Sequence, residues 1–181
     1  GKSTLKNTLV GQKIAITSPV AQTTRNRLRG VMTLPEAQII FVDTPGIHKP
    51  HHELGKVLVK NARIAINSVD VTLFVVDGTT AAGRGDLFIA DLLKHSDVPI
   101  VLGINKADLQ SETKAQMIDL SYQSLADENG WTVFKFSAVT AAGLASLNSA
   151  LIERLEVGPY YYPPDLVTDQ PERFIMGELI R

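Results

Sequence analysis

The amino-acid sequence predicts an α/β fold in which a mostly parallel, doubly wound sheet is flanked by helices. Three observations predict it. Val69–Val76 and Val98–Ile104 are nearly continuous β-branched, apolar runs, as expected of parallel strands buried on both faces. Segments of helical spacing alternate with such runs, the order that defines α/β folds. Hydrophobic residues make up 44% of the 181, enough for one domain with a buried core.

The elements follow in order. Lys2–Val10 should open a helix, with Leu5 and Leu9 four apart on one face. Ser18–Arg29 has no periodicity and holds Pro19 with a basic cluster of Arg25, Arg27 and Arg29. It reads as a mobile loop. Leu28–Leu34 and Gln38–Val42 read as a strand pair joined near Pro35. Glu53–Asn67 sets Leu54, Val57, Leu58, Ala62, Ala65 and Ile66 at helical spacing. Asp86–His95 and Thr113–Asp127 read as crossover helices. Thr132–Phe136 reads as a further strand, and Leu144–Leu155, after Gly143, as the last helix. No internal repeat is visible.

Composition changes at Gly158. The run Gly158-Pro159-Tyr160-Tyr161-Tyr162-Pro163-Pro164 cannot continue a helix and reads as a linker. From Pro171 a new amphipathic pattern begins, Phe174, Ile175, Leu179 and Ile180, and stops at Arg181. The expected organisation is one domain over 1–157, a linker over 158–170 and the start of a second domain over 171–181. The net charge of −1 gives no general basic footprint for nucleic acid. The chain has no cysteine, which excludes disulfides and thiolate zinc sites and fits a reducing cytoplasm. The longest apolar runs, such as Val71–Val76, are far too short to span a bilayer.

Four short motifs carry the chemistry. Gly1-Lys2-Ser3-Thr4 matches the end of a phosphate-binding loop, G-x-x-x-x-G-K-[ST], so the chain is expected to be a piece of a longer one. In such a loop Lys2 brings a point charge to the outer phosphates. The backbone N–H groups at the helix start add donors and a favourable dipole, and Ser3 offers a hydroxyl to magnesium. Asp43-Thr44-Pro45-Gly46 follows the apolar strand Ile39–Val42. A carboxylate at the C-terminal end of a strand lies where α/β sheets bind ligands. Asp43 should hold magnesium through water, and the Gly46 N–H should reach the γ-phosphate. Asn105-Lys106-Ala107-Asp108 follows another buried strand. One carboxylate, Asp108, can accept from both N1 and the 2-amino group of guanine, a pair adenine does not offer. Asn105 should bind the base or tie loops together, and the Lys106 stem can cover the ring. Ser137-Ala138, after the strand Thr132–Phe136, would close over the guanine. Between the first two motifs, Gln22-Thr23-Thr24-Arg25 holds a threonine that can complete the magnesium shell, Thr24 in preference to Thr23.

Each motif alone has a plain structural reading: a helix start, a turn, a polar strand end. Their order and separations together point to a guanine nucleotide with magnesium. Asp77-Gly78 reads as a simple turn. His48, His51 and His52 have no strong metal spacing and read as solvated loop residues.

With these residues in hand, the chain resembles the translation-factor-related GTPases of the TrmE-Era-EngA-like family, and the Era type in particular. The matching residues are Ala21–Arg25, Asp43–His48, Asn105–Asp108 and the tail Arg173-Phe174…Glu178-Leu179-Ile180-Arg181. The nucleotide motifs alone also fit the Der and MnmE types. The tail after Pro164 is what points to the Era type. The resemblance covers essentially the whole chain. It implies a P-loop NTPase G domain followed by a KH-type RNA-binding domain, of which the segment from 171 would be the start. It also implies GTP and GDP as ligands with Mg2+, and potassium-assisted hydrolysis through an asparagine of the loop before Gly1. The implied partners are the small ribosomal subunit and the 3′ end of its 16S rRNA. The implied location is the cytoplasm, with peripheral association at the inner face of the membrane, and the chain is expected as a monomer.

The catalytic reading rests on Lys2 and Thr24, with Ser3 and Asp43 completing the electrostatics. The position after Gly46 that would hold a water-positioning glutamine carries Ile47. Ile47 is expected to contact the nucleotide but cannot orient water. Slow intrinsic hydrolysis is therefore expected, helped by backbone groups, potassium or a partner. The γ-phosphate would order Ser18–Arg29 and Ile47–Glu53, and hydrolysis would release them. Two classes stay open: a GTP-hydrolysing switch, and a module that senses GTP or GDP with negligible turnover.

Overall fold

The computed structural model describes residues 1–11, 29–42, 66 and 68–166. They group into two compact units. One holds the first helix, the first two strands and the segment from Val157. The other holds the described residues from Ile66 to Glu156. Thr23, Thr24, the 43–52 segment with its aspartate and histidines, most of the predicted helix 53–67, and the tail from 171 lie outside the described residues.

In the first unit, α1 (Lys2–Val10) ends at Gly11, whose φ of 76° lets its N–H cap the Asn7 carbonyl. Strands β1 (Arg29–Thr33) and β2 (Gln38–Val42) pair antiparallel, with Val31 opposite Ile40 and Met32 opposite Ile39. Leu5 of α1, Val31 and Ile39 are buried. The proline-rich run read as a linker is tied to this hairpin. Gln38 Oε1 accepts from the N–H groups of Tyr161 at 2.9 Å and Tyr162 at 3.0 Å, while its Nε2 donates to the Tyr162 carbonyl at 2.9 Å. The Tyr160 hydroxyl donates to the carbonyls of Leu34 and Pro35.

The second unit is a parallel three-stranded sheet with helices. Strands β3 (Thr72–Asp77), β4 (Ile100–Asn105) and β5 (Thr132–Lys135) lie in the order β3-β4-β5. Every residue of β4 is buried, which explains the unbroken apolar run of a central parallel strand. Helix α2 (Arg84–Leu93) starts where Asp86 accepts from the Gly83 N–H at 2.9 Å. Helix α3 (Glu112–Asn129) runs from Ser111 to Gly130, whose φ is 69°. Helix α4 is Leu144–Ile152. Phe74, Leu102, Ile104, Ile118, Tyr122 and Leu125 form the centre of the core. Trp131 closes one end, edge-on to Phe74 with ring centroids 6.2 Å apart.

Several boundaries move inward from the sequence expectation. β3 begins at Thr72 because pairing begins there, with the Thr72 N–H donating to the Pro99 carbonyl at 2.9 Å. β4 begins at Ile100 because Ser96 Oγ accepts from the Val98 N–H at 3.2 Å and draws 96–98 into a turn. Beyond Ile152 the chain tightens into i→i−3 bonds, Arg154 N–H to Leu151 and Leu155 N–H to Ile152, so α4 stops short of Leu155.

Candidate nucleotide-binding site

The C-terminal ends of β3, β4 and β5 carry the base-recognition candidates. Asn105 closes β4 and is 3% exposed. Its Oδ1 accepts from the Lys106 N–H at 2.7 Å and from the Ala138 N–H at 3.0 Å. Of the two roles the sequence left open for Asn105, tying loops together is met directly by these bonds. The chain then turns sharply. Lys106 has φ 67° and ψ 35°, a left-handed conformation that few side-chain-bearing residues adopt. A single 3₁₀ turn over Ala107–Leu109 follows. The Ala107 N–H donates to the Phe136 carbonyl at 3.1 Å, and the Phe136 N–H donates to Ile104 at 2.9 Å. Asp108 stands exposed on this turn, and its carboxylate makes no hydrogen bond among the described residues. A carboxylate left open on a fixed backbone turn fits a ligand that brings two donors.

The second loop is equally fixed. Ser137 is fully buried, and its Oγ accepts from the N–H groups of Val139 at 3.2 Å and Thr140 at 3.1 Å. Ala138 is buried beside it. Gly143 has φ 78°, and a Cβ there would collide with the Lys135 carbonyl. The turn from this loop into α4 therefore requires glycine.

The sequence read Asp77-Gly78 as a plain turn; the structure makes it the floor of the base loop. Asp77 Oδ2 receives the Lys106 ammonium at 2.5 Å. Its Oδ1 accepts from the Thr79 N–H at 3.0 Å and the Thr79 hydroxyl at 2.7 Å. Burial alone would raise the Asp77 pKa. The bonds from Lys106 and Thr79, with the Lys106 charge, outweigh that and hold it below its ordinary value. The Gly78 N–H donates to the Asn105 carbonyl at 2.8 Å. A Cβ on Gly78 would sit 2.6 Å from that carbonyl oxygen and 2.9 Å from Ile104 Cγ2. Behind the turn, Gln110 Nε2 donates to Asp119 at 2.8 Å, and Lys135 donates to the same carboxylate at 2.6 Å. Strand register was the available signal: Asp77 and Asn105 end adjacent parallel strands and are direct partners.

The phosphate candidates lie at the start of α1. Gly1 is the N-cap and accepts from the Leu5 N–H at 3.0 Å. Gly1 and Lys2 are exposed, Ser3 is 8% exposed and Thr4 half-buried. No acidic residue lies in the first turn, so nothing there opposes an anion at the positive end of the helix dipole. A hydroxyl oxygen such as Ser3 Oγ is a hard donor suited to magnesium. Thr24, Asp43, Thr44, Pro45, Gly46 and Ile47 lie outside the described residues.

These features, a P-loop-type helix start and a parallel sheet whose strand ends carry a braced Asn-Lys-Ala-Asp turn, are those of a GTPase G domain. The sequence profile of the family described as 50S ribosome-binding GTPases matches residues 1–106. The chain belongs to this family of GTPases. It is 72% identical over all 181 residues to the GTPase Era of Nostoc sp. strain PCC 7120, covering 56% of that protein. It is 64% identical, again over its full length, to the GTPase Era of Synechocystis sp. strain PCC 6803, covering 58% of it. The chain thus spans little more than half the length of these relatives. Among solved structures it superposes on Era in complex with MgGDPNP and nucleotides 1506–1542 of 16S ribosomal RNA, with a TM-score of 0.88 and 34% identity over 99% of this chain and 61% of that one. A single-residue variant of Aquifex aeolicus Era bound to GDP.AlF4- gives a TM-score of 0.86, also at 34% identity, covering 99% of this chain and 61% of that one.

Proposed function

We propose that this chain is the nucleotide-handling part of an Era-type GTPase that switches between GTP and GDP during small-subunit assembly and acts on 16S rRNA. The observation that carries the reading is the 105–108 turn. Asn105 binds two loops together, and Asp108 is left open on a backbone that cannot easily relax. Asp108 takes the two donors of guanine, and the rigidity of its support makes the choice of base a choice of hydrogen-bond pattern. Asn105, Lys106, Ser137 and Ala138 complete the base site. Gly1, Lys2, Ser3 and Thr4 hold the phosphates, and Thr44, Pro45, Gly46 and Ile47 flank the γ-phosphate.

Lys2 would neutralise charge on the outer phosphates, and Thr24 would complete the magnesium shell when GTP is bound. Ser3 and Thr24 would offer hydroxyls to Mg2+ and Asp43 would hold it through water, and the ion would offset charge developing between the β- and γ-phosphates. With Ile47 in place of a water-orienting glutamine, turnover is slow without help from potassium or a partner. A KH-type domain after residue 171 would carry the contact to rRNA. A role on ribosomal subunits supports a place in the cytoplasm, and the protein would act as a monomer with any membrane contact peripheral. No helix among the described residues is long and apolar enough to cross a membrane.

Asp108→Asn tests the reading. It should weaken guanine-nucleotide binding by roughly 5- to 150-fold and shift preference toward xanthine nucleotides. Unchanged guanine preference would overturn the base site. Ile47 also supports a second reading, a GTP/GDP sensor with negligible turnover. Turnover measured with and without potassium and ribosomal subunits separates the two: a rate that stays near zero in every condition favours the sensor.

A further inference from the structure

We infer that Asp77 is a positioning residue for guanine-nucleotide binding, acting by fixing the side chain of Lys106; the inference rests on the base site proposed above. Asp77 ends β3 directly beside Asn105 at the end of β4. Both of its carboxylate oxygens are engaged in different tasks. Oδ1 accepts from the Thr79 N–H and hydroxyl, which fixes the carboxylate plane. Oδ2 receives the Lys106 ammonium at 2.5 Å. The Asp77 carbonyl accepts from the buried Tyr122 hydroxyl at 3.2 Å, which anchors the strand end to α3.

The consequence falls on the lysine stem. Lys106 leaves the chain from a left-handed residue whose N–H is already held by Asn105. With the ammonium also held, both ends of the side chain are fixed and its methylenes span the gap between the β4 turn and the β3 end. A free lysine loses rotamer entropy when it is ordered. Here that loss is met on folding rather than on binding, which favours affinity. The ion pair is partly exposed, at 39% and 43% for the two side chains. Its direct contribution to stability is therefore small, and its effect should be read in ligand affinity.

A double-substitution cycle tests this in the protein encoded by the full reading frame, with fluorescent GDP as the probe. Asp77→Asn should weaken GDP binding by about fivefold and leave the melting temperature nearly unchanged. In a Lys106→Met background the same substitution should change affinity less than twofold, because the group it acts through is gone. Asp77→Glu, which keeps the charge, should recover part of the loss. Equal losses in both backgrounds, or no loss in either, would overturn the positioning role. If Asp77→Asn lowers the melting temperature substantially, Asp77→Ser, which still accepts from the Thr79 N–H, carries the same cycle. Failure of the base site is distinguishable, since Lys106→Met and Asp108→Asn would then both bind GDP like the parent.

Discussion

The two candidate regions solve different recognition problems with different amounts of structure. The base region is braced from several elements: the end of β3 through Asp77 and the following Gly78, the residue after β5 through Phe136, α3 through Asp119, and the 137–142 loop through Ala138. The phosphate region rests on one nine-residue helix whose first turn carries no acidic side chain. Reading a base means distinguishing donor from acceptor, which requires groups that cannot move to suit the wrong ligand. Holding a phosphate requires charge and N–H groups aimed in one direction, which a helix start supplies without bracing. Breaking the buried braces of the base region, Asn105 and Gly78, should therefore unfold as well as disable, whereas damage to the partly exposed Asp77–Lys106 pair or to the phosphate region should mainly disable.

The largest effect on stability is expected from Asn105→Ala. It leaves the N–H groups of Lys106 and Ala138 without their acceptor, at about 1–3 kcal/mol for each buried group. A melting temperature within about 1–2 °C of the parent would show that the two loops are joined by something else. Next comes Gly78→Ala. Its Cβ meets a backbone oxygen that cannot swing away, so the ends of β3 and β4 must part. A loss of about 1–3 kcal/mol is expected, or roughly 2–12 °C in melting temperature. An unchanged melting temperature would show that these strand ends yield freely and that the brace is not rigid.

A smaller effect comes from Asp77 itself. Its folded-state pKa lies below the ordinary 3.8. A depressed carboxylate contributes stability that is fully present above the unfolded value and is lost as pH falls through the folded one. The stability difference between the parent and Asp77→Asn should thus be at most about 1 kcal/mol near pH 6, since the pair is partly exposed. It should shrink when urea unfolding is repeated near pH 3. A difference that grows on acidification contradicts the assignment.

How much of this was legible in the sequence follows from the same physics. The parallel strands were visible because β4 is buried on both faces and is apolar from Ile100 to Ile104. Asn105 and Asp108 could be singled out as candidates because guanine recognition would need those residue types at that spacing, and the structure adds the bonds by which Asn105 joins two loops. Asp77 and Gly78 were not, because Asp-Gly is also among the commonest ways to turn a chain. Only the register that sets Asp77 beside Asn105, 28 positions away in sequence, brings its carboxylate to the Lys106 ammonium. The strand and helix ends were misjudged where local bonds, such as Ser96 to Val98, outcompeted an apolar pattern. The tyrosines after Gly158 read as a linker because proline and glycine punctuate the run. Gln38, a single polar residue on β2, is what ties them down, and no periodicity could reveal it.

The comparison is sharpened by the substitution with the smallest expected effect on folding, Lys2→Ala. Lys2 is exposed at the first position of α1, and alanine is the better helix former. Stability without nucleotide should stay within about 0.5 kcal/mol of the parent. If Lys2 acts on phosphate and not on base, as proposed, affinity for GTP should nevertheless fall, and fall further than affinity for guanosine. Nucleotide-induced stabilisation follows the affinity, so the rise in melting temperature on adding GTP should be reduced in Lys2→Ala while the baseline stays put. Asn105→Ala should show the reverse order, with the baseline falling first. If Lys2→Ala lowered the baseline as much as Asn105→Ala does, the phosphate region would be braced too, and the division of labour between the two regions would fail.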